Sequence, residues 1–121
     1  MDILSGELQS LVKECLIGYK YEETVDGVRI IGYKNSKGQK HGNCKSFRNN
    51  GNLLYDFNFK EGKFHGNCKL FRNNGNLEYD FNFKEGEFHG NCKSFRDNGK
   101  LSCDYTYKEG NLHGIVKHGI D

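Results

Sequence analysis

The sequence predicts an all-β fold, an elongated single-layer ribbon of antiparallel β-hairpins preceded by a short N-terminal helix. Three observations carry that prediction. The phrase HGNCK opens at His41, His65 and His89, a period of 24 residues kept without insertion. Glycine turn signals keep the same period, at Gly51, Gly75 and Gly99 and again at Gly62, Gly86 and Gly110. Between the turns, apolar and polar residues alternate, as in Leu77 to Phe83 (LEYDFNF), which is the pattern of a strand with one apolar face.

Composition agrees with a thin architecture. Sixteen glycines, no proline or tryptophan and 35% apolar residues build a poor thick core, whereas 13% aromatic residues suit strands between glycine turns. The net charge of +2 arises from 18 basic and 16 acidic residues mixed along the chain, so no block of one sign marks a nucleic-acid or membrane footprint. No stretch approaches the roughly 18 consecutive apolar residues of a membrane span. The acidic start MDILSGELQ also lacks the basic region of a signal peptide. A soluble, cytoplasmic chain is therefore expected. Five cysteines, an odd count, fit reduced thiols better than a complete disulfide framework.

Taken from the N-terminus, residues 1–16 form the first element. Leu4, Leu8, Leu11 and Cys15 recur at helical spacing and predict a short amphipathic helix that caps the open end of the array. Residues 17–121 form the repeat array. Its first unit is degenerate: Asp26-Gly27 stands where Asn50-Gly51 stands one period later, and Gly38 where Gly62 does. Three full units follow, and a closing half-unit breaks off after Gly114. Each unit is stabilised by its neighbours, and departures from consensus at the ends suit capping copies.

Each full unit is predicted to be a hairpin, because Asn-Gly between alternating strands is a strong signal for a two-residue type I′ turn. With Asn50-Gly51 as that turn, Ser46 faces Tyr55, Cys44 faces Phe57, Gly42 faces Phe59 and Lys45 faces Asp56. The period repeats the charge pair as Lys69 with Asp80 and Lys93 with Asp104. A two-residue turn at Glu61-Gly62 then sets Phe59 against Phe64, Phe57 against Gly66 and Tyr55 against Cys68. Both turns keep the aromatic residues on one face. A three-residue loop at Asn-Gly is the alternative; it would slip the register by one and bring Phe47, Phe71 and Phe95 to that face.

The repeated phrase GKFHGNCKLFRNNGNLEYDFNFKEG (Gly62 to Gly86) resembles the MORN repeat, in particular a variant that occurs in bacterial antitoxin-component proteins and in large DNA viruses. The likeness runs from about residue 17 to the C-terminus. It rests on the paired glycines of GKFHG, the aromatic before NNG, the leucine after it and the aromatic-Lys-x-Gly close. The resemblance implies β-hairpin arrays used in protein contacts and assembly, with lipid-headgroup binding in some members. A viral origin would place the chain in a host cell or virion.

The candidate sites follow from the two faces. Tyr55, Phe57, Phe59, Tyr79, Phe81, Phe83, Tyr105 and Tyr107 are expected to line an aromatic groove that docks a protein partner, since a repeated apolar stripe commonly marks an interface. The expected function is that of a non-catalytic interaction or scaffold module. A periodic basic strip of Lys45, Arg48, Lys60, Lys63, Lys69, Arg72, Lys84, Lys93 and Arg96 supplies the alternative, peripheral binding of anionic or phosphoinositide headgroups. A homodimer through the C-terminal edge strand or the aromatic face is a further expectation, and nucleic acid is disfavoured. His41, His65, His89 and His113 lie three residues before a cysteine or valine. Successive copies stand about 10 Å apart, two strands on, too far to share one metal ion. Neither a metal nor a cofactor is expected. No nucleophile elbow, phosphate loop or zinc-protease motif is present, so no enzymatic activity is expected.

Overall fold

The computed structural model describes residues 19–118, with side chains as far as Leu112. The expected helix within residues 1–16 lies outside the described residues. Among the described residues, eleven strands make one antiparallel sheet. They are β1 (Tyr19–Val25), β2 (Val28–Lys34), β3 (Gly42–Phe47), β4 (Leu53–Lys60), β5 (Lys63–Phe64), β6 (Gly66–Phe71), β7 (Leu77–Lys84), β8 (Glu87–Phe88), β9 (Gly90–Phe95), β10 (Leu101–Lys108) and β11 (Asn111–His118). The order across the sheet is β1-β2-β3-β4-β6-β7-β9-β10-β11, with β5 on β4 and β8 on β7. The chain crosses the sheet in sequence order, with β5 and β6 both pairing with β4, and β8 and β9 both pairing with β7.

The hairpin register is the expected one. Gly42 pairs with Phe59, Cys44 with Phe57, Lys45 with Asp56 and Ser46 with Tyr55. The turn that produces it is not the expected one. Arg48 N–H donates to the Asn52 carbonyl at 2.7 Å and Gly51 N–H to the Arg48 carbonyl at 2.8 Å, which closes a three-residue loop over Asn49, Asn50 and Gly51. Gly51 alone takes a left-handed conformation there, with φ of 88°. The extra residue is offset by a bulge at Leu54: Phe47 pairs with Leu53, while Ser46 pairs with Tyr55. The same shift recurs in the β6–β7 hairpin. Phe47 consequently stays on the polar face, where the Arg29 guanidinium sits 5.8 Å from its ring centroid.

Glu61-Gly62 does form a two-residue type I′ turn, with φ of 49° and 83°. Phe59 faces Phe64 across it, as expected. Beyond Phe64 the predicted pairing fails, because Tyr55 faces Leu70 and Asp56 faces Lys69. His65 still donates its N–H to the Asn58 carbonyl, so two residues are inserted between that bond and the Asp56–Lys69 pair. Cys68 fills the gap: its Sγ accepts the Asn58 N–H at 3.4 Å and approaches the Asn58 carbonyl at 3.7 Å. An insertion of two leaves every side chain on its original face.

The core is correspondingly thin. Cys44, Cys68 and Cys92 are buried, and Ser46 is fully enclosed beside them. On the polar face an amide ladder joins the units. Asn43 Nδ2 donates to Asp56 Oδ1 at 2.6 Å, Asn58 Nδ2 to the Asn67 carbonyl at 2.6 Å and Asn67 Nδ2 to Asp80 Oδ1 at 2.7 Å. Asn82 and Asn91 continue it to Asp104. The aspartates thus lie opposite the predicted lysines, but the amides take their oxygens.

Candidate functional site

Because strand side chains alternate, placing Tyr55 inward places Phe57 and Phe59 inward too. All eight predicted groove residues share this face. Tyr55 stacks on Phe57 at a centroid distance of 4.2 Å, and Phe57 meets Phe59 edge-on at 6.4 Å. Tyr79, Phe81 and Phe83 repeat that run at 4.9 and 6.5 Å, and Tyr105 and Tyr107 at 6.4 Å.

Two further rings, outside the predicted set, join the runs to one another. Phe64 lies 4.9 Å from Phe59 and 5.0 Å from Phe83. Phe88 lies 4.9 Å from Phe83 and 5.0 Å from Tyr107. The signal for both was present in the sequence, since the Glu-Gly turn sets Phe64 against Phe59. Each ring pair contributes about 0.5–1.5 kcal/mol beyond area burial, so the stack stabilises the array as well as shaping its surface.

A shallow apolar cavity of about 150 Å³ opens between the first two runs, walled by Phe57, Phe64, Leu70, Tyr79, Phe81 and Phe83 with Cys68 at its floor. The rings stay partly accessible, and Tyr79 is exposed at 37%. Burial pushes the Tyr55 hydroxyl up to about 12, helped by the neighbouring Cys44. Burial also raises Tyr21, whose hydroxyl lies 3.6 Å from Cys44 Sγ and covers that thiol from the first hairpin. Cys68 and Cys92 are raised by burial in turn. These thiols remain protonated at neutral pH, which suits packing and opposes nucleophilic or ligand roles.

The nine basic residues are not brought into one strip. Lys45, Lys69 and Lys93 lie mid-strand on the polar face, with Lys69 Nζ donating to Asn67 Oδ1 at 2.5 Å. Lys60, Lys63 and Lys84 lie at the Glu-Gly edge, where Lys63 and Lys84 share a cavity of about 440 Å³ with Glu85, Glu87 and Glu109. Arg48, Arg72 and Arg96 lie at the opposite edge. Arg48 Nη2 donates to the Phe71 carbonyl at 2.8 Å and Arg72 Nη2 to the Phe95 carbonyl at 2.7 Å, so these two guanidinium groups tie each unit to the next.

The histidine column has a structural task. The Nδ1 atoms of His41 and His65 accept the backbone N–H of Glu61 and Glu85 at 3.0 and 3.1 Å, and His89 that of Glu109 at 3.4 Å. Among the described residues, no group of three or more His, Cys, Asp or Glu side chains is placed to hold a metal ion. No helix among them is long and apolar enough to cross a membrane.

The MORN repeat variant family matches residues 40–61, 64–85 and 88–109. No curated protein matches the chain. Among solved structures, the chain is similar to the crystal structure of an S. aureus TarM mutant in complex with fondaparinux, alpha-GlcNAc-glycerol and UDP, at 12% identity and a TM-score of 0.39. That alignment covers 94% of this chain and 25% of the other.

Proposed function

The chain belongs to the MORN repeat variant family, whose repeats generally serve as protein- or membrane-interaction modules, and we propose that this one is a non-catalytic module whose aromatic groove docks a partner protein. The observation that supports it is the unbroken run of rings from Tyr55 to Tyr107, with the open apolar cavity at Phe57 and Phe81. Rings held by their neighbours lose little conformational freedom on binding, which favours them as anchors.

The test is affinity capture of the tagged chain from its native extract, with the Phe57→Ser, Phe81→Ser double variant in parallel. Docking on the groove predicts a partner near one-to-one that withstands raised salt and disappears with the double variant. A folded double variant that retains the partner at full affinity removes the groove from the mechanism. Binding to anionic vesicles that collapses as salt rises would instead support the basic residues as the contact surface.

A further inference from the structure

Among the described residues every strand lies in the one sheet, so no second layer covers the aromatic face. An apolar sheet face gains stability when another element packs on it. The start of β1 shows where a cover enters. Tyr19 pairs with Lys34, Lys34 bridges to Lys40, and the Lys40 carbonyl accepts the Gly62 N–H, so β1 begins at the Glu-Gly edge. Tyr21 reaches Cys44 Sγ on the aromatic face, and Tyr19, two residues before it, shares that face and is exposed. The stack of Phe59, Phe64, Phe83 and Phe88 runs along the same edge, beside the Glu-Gly turns.

The sequence before β1 carries a matching surface. Leu4, Leu8, Leu11 and Cys15 form one stripe at helical spacing, and Gly18 leaves the chain free to turn back before Tyr19. From Leu4 to Cys15 a helix measures about 16 Å. Strands about 4.8 Å apart put β4 about 14 Å and β6 about 19 Å from β1. With Cys15 at β1, Leu4 falls over β4 and β6, at the cavity of about 150 Å³ walled by Phe57, Phe64 and Leu70. Charge agrees with this placement. Asp2, Glu7 and Glu14 outnumber Lys13 in the segment, while its entry edge carries Lys34 and Lys40, over the Tyr21 and Phe59 rings at 4.4 and 5.2 Å. Lys34, opposite Tyr19, stands where the carboxyl end of such a helix arrives, and a cation there opposes the helix dipole. So short a tether also gives an effective concentration on the order of millimolar, which favours this segment over a second copy of the chain.

We propose that residues 2–16 fold back as an amphipathic helix across β1 to β6 on the aromatic face, with Leu4 and Leu8 at the Phe57–Phe64 cavity. A partner docking on the groove must then displace this helix. That regulatory consequence rests on the proposed function, whereas the docking of the segment does not.

The experiment is nuclear magnetic resonance of the full chain with labelled leucine methyl groups. Cross-peaks from the Leu4 and Leu8 methyls to the Phe57 and Phe64 ring protons are expected. The triple variant Leu4→Ser, Leu8→Ser, Leu11→Ser should move those ring signals and raise the fluorescence of a dye that binds apolar surface, with the sheet's amide dispersion retained. Lys13→Ser, opposite the stripe, should change neither. The proposal is overturned by absent cross-peaks or by dye fluorescence that does not rise. Cross-peaks found only between labelled and unlabelled molecules in a mixed sample would also overturn it and assign the face to a second copy. Partner capture reports separately: cross-peaks without any captured partner remove the docking function and leave the folded-back helix, and a captured partner without cross-peaks does the reverse.

Discussion

At one edge of the sheet Asn49, Asn50 and Gly51 close a three-residue loop, and at the other Glu61 and Gly62 close a two-residue turn, although both are X-Gly signals between alternating strands. The first edge is held locally. Asn50 Oδ1 accepts the Asn52 N–H at 2.9 Å, and Asn74 and Asn98 do the same for residues 76 and 100. That bond keeps Asn50 at negative φ and leaves the left-handed position to Gly51. The second edge is held by the segment that precedes β3. Glu61 N–H goes to His41 Nδ1, and Gly62 N–H goes to the Lys40 carbonyl at 2.8 Å. With both central N–H groups taken by a neighbour, the left-handed glutamate is tolerated. Turn dipeptides therefore report where the chain reverses, while the hydrogen-bond partners decide how.

The most severe way to break this comparison is to delete Leu54. The three-residue loop would then lack its compensating bulge, and Tyr55, Phe57 and Phe59 would turn to the polar face. With rings worth about 1.5–3 kcal/mol each, a loss above roughly 4 kcal/mol is expected, read as a collapsed thermal transition.

Next comes Cys68→Ala, which acts beside the Glu-Gly edge by leaving the Asn58 N–H unpaired within the two-residue insertion. A loss of about 1–3 kcal/mol is expected in denaturant titration. The raised Cys68 and Cys92 thiols add a pH dependence. The folded state keeps protons that the unfolded state releases, so stability is complete below the ordinary thiol value of 9.0 and falls as pH climbs above it. Thermal melts from pH 7 to 10 should show the midpoint dropping only at the alkaline end, and less in the Cys68→Ala variant.

Smaller effects sharpen the contrast between the edges. Asn50→Ala removes the local bond and should cost about 1 kcal/mol, with no matching effect at the Glu-Gly edge. Glu61→Asn should do the opposite and stabilise by about 0.5 kcal/mol, since asparagine enters the left-handed region more readily. A neutral or destabilising result in chemical denaturation would mean that the Glu61 side chain makes a contribution larger than its backbone strain.

The sequence specified the period, the strand faces and the ring set, because alternation is a local property that an even change in register cannot disturb. It also held the β3–β4 pairing correctly for an incomplete reason: the longer loop and the Leu54 bulge are each one residue, and they cancel. Membership of Phe64 and Phe88 in the ring stack was legible in the same way. The three-residue loop rests on the local Asn50 side-chain bond, whereas the Glu-Gly turn, the two-residue insertion before β6 and the separation of the basic residues into three groups follow from tertiary contacts. The tertiary contacts are bonds between residues far apart in the chain, such as His41 to Glu61, Cys68 to Asn58 and Arg48 to Phe71. Such bonds join residues that alternation within one strand does not relate.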